Sequence, residues 1–150
     1  MSKHMVVFSV SNEEFALPIE TVKEIQKAGE ITKIPHIYDY VAGVSHIRNH
    51  PIIIIDLAKK LALPQEKISL TKIVLIARAR DNIVGLLVDR VTEVCEMPDK
   101  AIEPTPGFAM PINDGYVKQI SDLKGRIILI LDLDEVLTQE EMRNVQNTNG

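Results

Sequence analysis

The sequence predicts an all-β protein built from two copies of one small-barrel module. Three observations carry this. Apolar residues alternate over short runs bounded by polar turns, the period-two pattern of half-buried strands. Ile, Val and Leu dominate the apolar content and suit a pleated surface. The second half of the chain repeats the first, in order.

The repeat has two blocks. SHIRNHPIIIIDLAKKL (45–61) is echoed by SDLKGRIILILDLDEVL (121–137). Ser45, Ile52, Ile54, Asp56, Leu57 and Leu61 meet Ser121, Ile128, Ile130, Asp132, Leu133 and Leu137. Arg48 meets Lys124, and Asn49 meets Gly125, two residue types that tolerate a left-handed turn. ALPIETVKEI (16–25) is echoed by GLLVDRVTEV (85–94): Leu17, Val22 and Glu24 match Leu86, Val91 and Glu93, and Glu20 meets Asp89. Pro35 meets Pro104 at the same offset. The offset then lengthens by one short insertion, which TPGFAMPINDG, rich in Pro and Gly, accommodates. The copies join near Pro64–Thr71. Subdomain one spans residues 6–70 and subdomain two 71–137, with 138–150 as a helix end and a frayed tail.

Each element follows from its own pattern. MVVFSV puts Val6, Phe8 and Val10 on one face, and EFALPI does the same with Phe15, Leu17 and Ile19. SNEE between them is a hairpin turn. ETVKEI opens with a turn and runs into a short strand. GVSHI and PIIIIDL form a second hairpin through RNH. The four isoleucines are continuous because that strand is buried on both faces, and Asp56 caps the turn that follows. Copy two repeats the series: KIVLIAR, a turn at Arg80-Asp81-Asn82, NIVGLLV, VTEVCEM, GYVKQI and RIILILDL. Lone Gly85 marks a bulge or the close approach of another backbone. Helix is sparse: one turn at Leu57, Lys60 and Leu61, and a longer helix starting at Leu133, Val136 and Leu137. Asp132 is the N-cap of that helix, with Glu135 three residues on. Short strands spaced by polar turns point to small antiparallel barrels.

Composition narrows function. The isoleucine run is far short of the ~20 apolar residues that span a bilayer, and the N-terminus lacks the apolar stretch and cleavage site of a secretion signal. Single Cys95 has no disulfide partner. A cytoplasmic protein is expected. Net charge is −4 with acids and bases interspersed, there is no Trp, and there are only three Phe and three Tyr. That argues against nucleic-acid and anionic-membrane binding.

The candidate chemical groups do not assemble into a catalytic or metal-binding pattern. A phosphoaccepting Asp56 needs an acidic pair after the first strand and alternating strands and helices, and the duplicated Asp132 has no place in that scheme. His46 and His50 flank Arg48, with His36 upstream. The cation between the pair favours surface histidines over a metal site. Glu93 and Glu96 beside Cys95 oppose a thiolate. No phosphate-loop, dinucleotide, nucleophile-elbow or zinc-protease motif occurs. Glu24/Arg48 and Glu93/Lys124 are expected to meet as two equivalent ion pairs, each closing the same corner of its barrel.

With these blocks in place, the chain resembles the CheW family of chemotaxis coupling proteins. The resemblance runs over VVFSVSNEEFALPIETVKEI, IPHIYDYVAG, GVSHIRNHPIIIIDLAKKL, VGLLVDRVTEV, the IEPTP loop and GRIILILDLDEVL, at family spacing. The family's Asn-Leu-Arg-Gly turn reads His46-Ile47-Arg48-Asn49, with Arg48 retained and Pro51 following. The resemblance implies two SH3-like five-stranded barrels with pseudo-twofold symmetry, plus short helices including one near the C-terminus. It implies a non-catalytic adaptor, without cofactor, that joins chemoreceptor cytoplasmic tips to the regulatory domain of the histidine kinase CheA in receptor arrays. The alternative is a CheW-like module of a CheV-type protein or of a kinase regulatory domain. By position, Ile19, Val22, Glu24, Val44 and Arg48 fall on the receptor side, in an apolar groove between the barrels. Ile73, Val74, Gly85 and Leu86, with exposed Phe108 in the IEPTPGF loop, fall on the kinase side. Glu103 stands where many relatives carry a base.

Overall fold

The computed structural model describes residues 2–36, 38–64, 72–104 and 114–146. Its strands are β1 (Ser2–Val10), β2 (Glu13–Pro18), β3 (Val22–Lys27), β4 (Val41–Ile47), β5 (His50–Asp56), β6 (Ile73–Ala79), β7 (Asn82–Val88), β8 (Arg90–Pro98), β9 (Ile102–Pro104), β10 (Val117–Leu123) and β11 (Arg126–Leu131). Short helices α1 (Leu57–Lys60), α2 (Leu133–Val136) and α3 (Gln139–Gln146) follow β5 and β11.

Two sheets result, ordered β8-β1-β2-β11-β10-β9 and β3-β6-β7-β5-β4. Setting aside the three-residue β9, both have five strands in one order: β1–β2 answer to β6–β7, β8 to β3, and β10–β11 to β4–β5. Each sheet has one parallel pair, placing Ala16 opposite Ile130 in the first and Gly85 opposite Ile54 in the second. Each ladder slips register at the matching place, between Val117 and Gln119 and between Val41 and Gly43. Even β9 has a counterpart in the bridge between Thr32 and Val44. The all-β fold and its internal repeat are as the sequence predicts.

The join between the copies near residue 70 is not the boundary between the sheets. Hairpin β1–β2 of the first copy completes the sheet of β8–β11, and β6–β7 of the second completes that of β3–β5. Each hairpin finds a long antiparallel ladder across the midline, β1 with β8 and β6 with β3. A sequence echo identifies equivalent strands but carries no information on which copy they pair with.

Burial explains the isoleucine run. Ile54 points into the core of one barrel with Val74 and Ile76. Its neighbours Ile53 and Ile55 point the other way, into a joint core that both sheets share. The twin strand divides likewise: Ile128 and Ile130 face the second barrel core with Met5, Val7 and Met97, while Leu129 and Leu131 enter the joint core. Each fully buried side chain of this kind contributes roughly 1.5–3 kcal/mol.

Local chemistry fixes the turns. The four hairpin turns Ser11-Asn12, Arg48-Asn49, Arg80-Asp81 and Lys124-Gly125 all have positive φ at both residues, the geometry that matches two-residue turns to strand twist. Asp56 Oδ1 accepts from Lys59 N at 3.2 Å and Asp132 Oδ1 from Asp134 N at 3.1 Å, so both aspartates cap the helices after their strands. The longer helix expected from Leu133 is broken: α2 ends at Val136, and Leu137 is extended, with φ −117° and ψ 104°. Helix α3 restarts with a reciprocal cap. Thr138 Oγ1 accepts from Glu141 N, and Glu141 Oε1 accepts from Thr138 N. Gly85 lies at no register shift between β6 and β7. What crowds it are side chains, Ile54 and Val74, rather than a second backbone.

Candidate functional site

The residues expected on the receptor side cluster around β3. Pro18 ends β2 and opens a single 3₁₀ turn, Ile19–Thr21. This turn leaves Ile19 42% exposed, so its aliphatic side chain is open to a partner. Val22 packs against the joint core from its rim. Two residues on, Glu24 Oε1 accepts from Gln26 Nε2 at 2.8 Å and from Arg48 at 3.1 Å through its terminal nitrogen. The bonds from Gln26 and, after it, from Arg48 hold the Glu24 carboxyl below its ordinary value against the opposing effect of desolvation. Arg48 reaches it from the left-handed β4–β5 turn, and its side chain is 76% exposed. The Glu24–Arg48 pair therefore forms as the sequence predicts, on the surface.

Val44 is different. It is buried in the joint core, and its backbone exchanges two 2.9 Å hydrogen bonds with Thr32. The hydrophobic material at the midline is largely internal, because the facing sheets fill it with their own side chains. What stays open beside Ile19 is a cleft of about 760 Å³. Leu17, Pro18, Glu20 and Thr21 line one wall, and Lys118, Gln119 and Ile130 another.

The residues expected on the kinase side lie on hairpin β6–β7. Ile73 is half-buried, whereas Val74 and Leu86 are core residues pointing to opposite faces of the sheet. Gly85 pairs with Ile76 and Ile54 inside the sheet. Phe108 lies outside the described residues. Glu103 is exposed on β9, opposite Ile120.

The second ion pair is corrected. Glu93 bonds Arg126 at 2.8 Å rather than Lys124, and Arg126 also holds Glu14 at 2.6 Å. Lys124 occupies the left-handed turn, while Arg126 is the first residue of β11. A two-residue change of position puts the cation within reach of both Glu14 and Glu93. The bond from Arg126 lowers the Glu14 pKa against the opposing effect of desolvation, and bonds to Glu14 and Glu93 raise that of Arg126. Burial, then the charge of Glu93, pushes the Cys95 thiol up. His46 and His50 are exposed at the hairpin.

Two groups escaped the sequence reading. Ile25 and Val94, repeat twins on β3 and β8, are exposed, as is Ile127 on β11. Alternation along VKEIQK, with Val22 inward, carried that signal. The second group is polar: Tyr40, Lys60, Tyr116 and Glu141 meet at the midline. The signal for it was Tyr40 and Tyr116, which recur at the same repeat offset as Asp56 and Asp132.

Among the described residues no helix is long and apolar enough to cross a membrane. The CheW-like domain model matches residues 4–141. The chain is 30% identical over 139 residues to the chemotaxis protein CheW of Rhizobium meliloti (strain 1021), covering 93% of this chain and 90% of the relative. It is 31% identical over 140 residues to that of Bacillus subtilis (strain 168), with the same coverage. The crystal structure of the scaffolding protein TtCheW from Thermoanaerobacter tengcongensis superposes with a TM-score of 0.85 at 30% identity, covering 94% of this chain and 96% of that one. Fold, repeat and relatives agree: the chain belongs to the CheW-like family and is a non-catalytic chemotaxis scaffold.

Proposed function

We propose that this scaffold couples the cytoplasmic tips of chemoreceptors to the regulatory domain of the histidine kinase CheA, within receptor arrays at the membrane. The observation that carries the reading is exposed Ile19 in the turn that leads into β3, with Glu24 of β3 paired to Arg48 of the β4–β5 turn. An aliphatic anchor with charges at its rim suits an amphipathic helix laid into a groove. Ile19, Val22, Glu24 and Arg48 supply the receptor contact. Val44, which is buried, supports them from below. The kinase contact falls on hairpin β6–β7. There Ile73 offers surface, and Val74, Gly85 and Leu86 set the shape; Phe108, outside the described residues, is assigned to the same partner.

Co-sedimentation tests this with a receptor tip fragment, with and without the kinase regulatory domain. Ternary assembly exceeding either binary complex is the expected result. Arg48→Glu should lower receptor binding at least tenfold with an unchanged urea midpoint, and Glu24→Arg in the same chain should restore it. Binding indifferent to both substitutions refutes the assignment of this face.

A further inference from the structure

The reciprocal exchange of hairpins is the arrangement by which two copies of a protein swap elements. The two halves here share caps, bulges and ladders, so each half has the features needed to pair with the same half of a second copy. Two features break the match at the midline.

The first is size. Phe8, Val10 and Phe15 of β1–β2 correspond to Ala77, Ala79 and Val84 of β6–β7, and all six are buried in the joint core. The phenylalanines stack with centroids 6.0 Å apart. Bulk in one hairpin is matched by small side chains in the other, and close-packed interiors tolerate neither doubled bulk nor doubled void.

The second is charge. Tyr40 and Tyr116 are twins whose carbonyls accept from the twin cap residues, Asp56 N at 2.7 Å and Asp132 N at 2.9 Å. Lys60 Nζ sits over both rings, 4.8 and 5.3 Å from their centroids. It donates to Tyr116 Oη at 3.2 Å and to Glu141 Oε2 at 2.9 Å, and its side chain is only 9% exposed. Tyr40 Oη donates to the same carboxylate oxygen at 2.6 Å. At the place the repeat assigns to a second lysine stands buried Val136. The cation belongs to the first half and the anion to α3, behind the second.

We propose that the Lys60–Glu141 pair, with the unequal hairpins, makes the midline accept the opposite half and reject the same half of a second copy. Two first halves would bring two Lys60 side chains together without a carboxylate. Two second halves would bring two Glu141 carboxylates together without a cation. Each arrangement strands buried charge, which is far costlier than a satisfied or an absent pair. Pairing of unlike halves between chains keeps the pair intact, and tethering already favours its intramolecular version.

The test uses the full chain. Lys60→Met/Glu141→Leu removes both charges and keeps apolar volume. Wild type and variant are unfolded in urea, refolded over a range of protein concentrations, and sized by gel filtration with light scattering. The expected result is at least threefold more dimer and higher oligomer in the variant, since exchange between unlike halves is equally open to both chains. A charge-exchanged chain, Lys60→Glu/Glu141→Lys, should return to the wild-type distribution. Equal oligomer fractions in the wild type and the apolar variant overturn the proposal. If the apolar variant does not fold, Lys60→Gln/Glu141→Gln takes its place under the same criterion.

Discussion

Gly85 offers a sharp test of the packing described here. A Cβ at this position would stand 2.6 Å from Ile54 Cδ1 and 2.9 Å from Val74 Cγ1. Both neighbours are buried in the barrel core, so neither has free space to retreat into. Overpacking of this kind costs about 1–3 kcal/mol, while replacing a strand glycine returns roughly 0.5–1 kcal/mol of chain entropy. Gly85→Ala should therefore lose on the order of 1–2 kcal/mol. At about 2–4 °C per kcal/mol for a chain of this size, Tm should fall by about 2–8 °C. Ile54→Val removes the atom that clashes most, at a cost of about 0.5–1.5 kcal/mol when made alone. The double variant should be more stable than the sum of the singles by about 1 kcal/mol. Urea melts of the four chains decide it. Gly85→Ala at or above wild-type stability, or strict additivity of the pair, would refute the reasoning. The twin position carries Ala16 opposite Ile130, so the other barrel already accommodates this methyl group.

Asp56→Ala and Asp132→Ala should each lose about 1 kcal/mol as lost helix caps, and equal losses by urea melt would confirm that the twins do the same work. Lys60→Met alone leaves the Glu141 carboxylate short of a partner and should cost about 2–3 kcal/mol, less than for a fully buried pair. Tm measured beside the Lys60→Met/Glu141→Leu chain should show the double variant recovering most of that loss. Stability should also depend on pH at both extremes. Burial pushes the Glu141 carboxyl up, but bonds from Tyr40 and Lys60 more than reverse this, so its pKa lies below 4.5. Its contribution is full above that value and is lost as pH falls through the lower folded value. Glu141→Gln should flatten the acid limb of urea stability against pH. For Lys60, burial pushes the pKa down, but Glu141 and Tyr116 more than compensate, so it lies above 10.5. Its contribution is full below that value and fades as pH rises through the higher folded one, so Lys60→Met should flatten the alkaline limb.

Much was legible in the chain itself. Alternation and turn chemistry gave the strands, because side-chain direction along a strand and φ at a turn are local properties. The echo gave the duplication, since twin strands need twin patterns whatever they pack against. Asp56 and Asp132 were readable as caps for the same reason. Glu24 and Arg48 were readable as a pair because each lies at a fixed place on its own copy. The Glu93 partner was not readable, because Glu93, Glu14 and Arg126 lie on three different strands that only the assembled sheet brings together. Nor was the difference between Val44, inside, and Ile19, outside: both are aliphatic residues on a predicted apolar face, and only the packing of the two sheets determines which is covered.

The sequence by itself therefore determined the elements, their repetition and their family, all of which follow from neighbours a few residues apart. Only the tertiary structure decided that the hairpins cross to the opposite half, that the midline is filled, and that Lys60 meets Glu141 beneath two tyrosines. Those outcomes depend on which surfaces exclude water together, and that is a property of the assembled sheets rather than of any one segment.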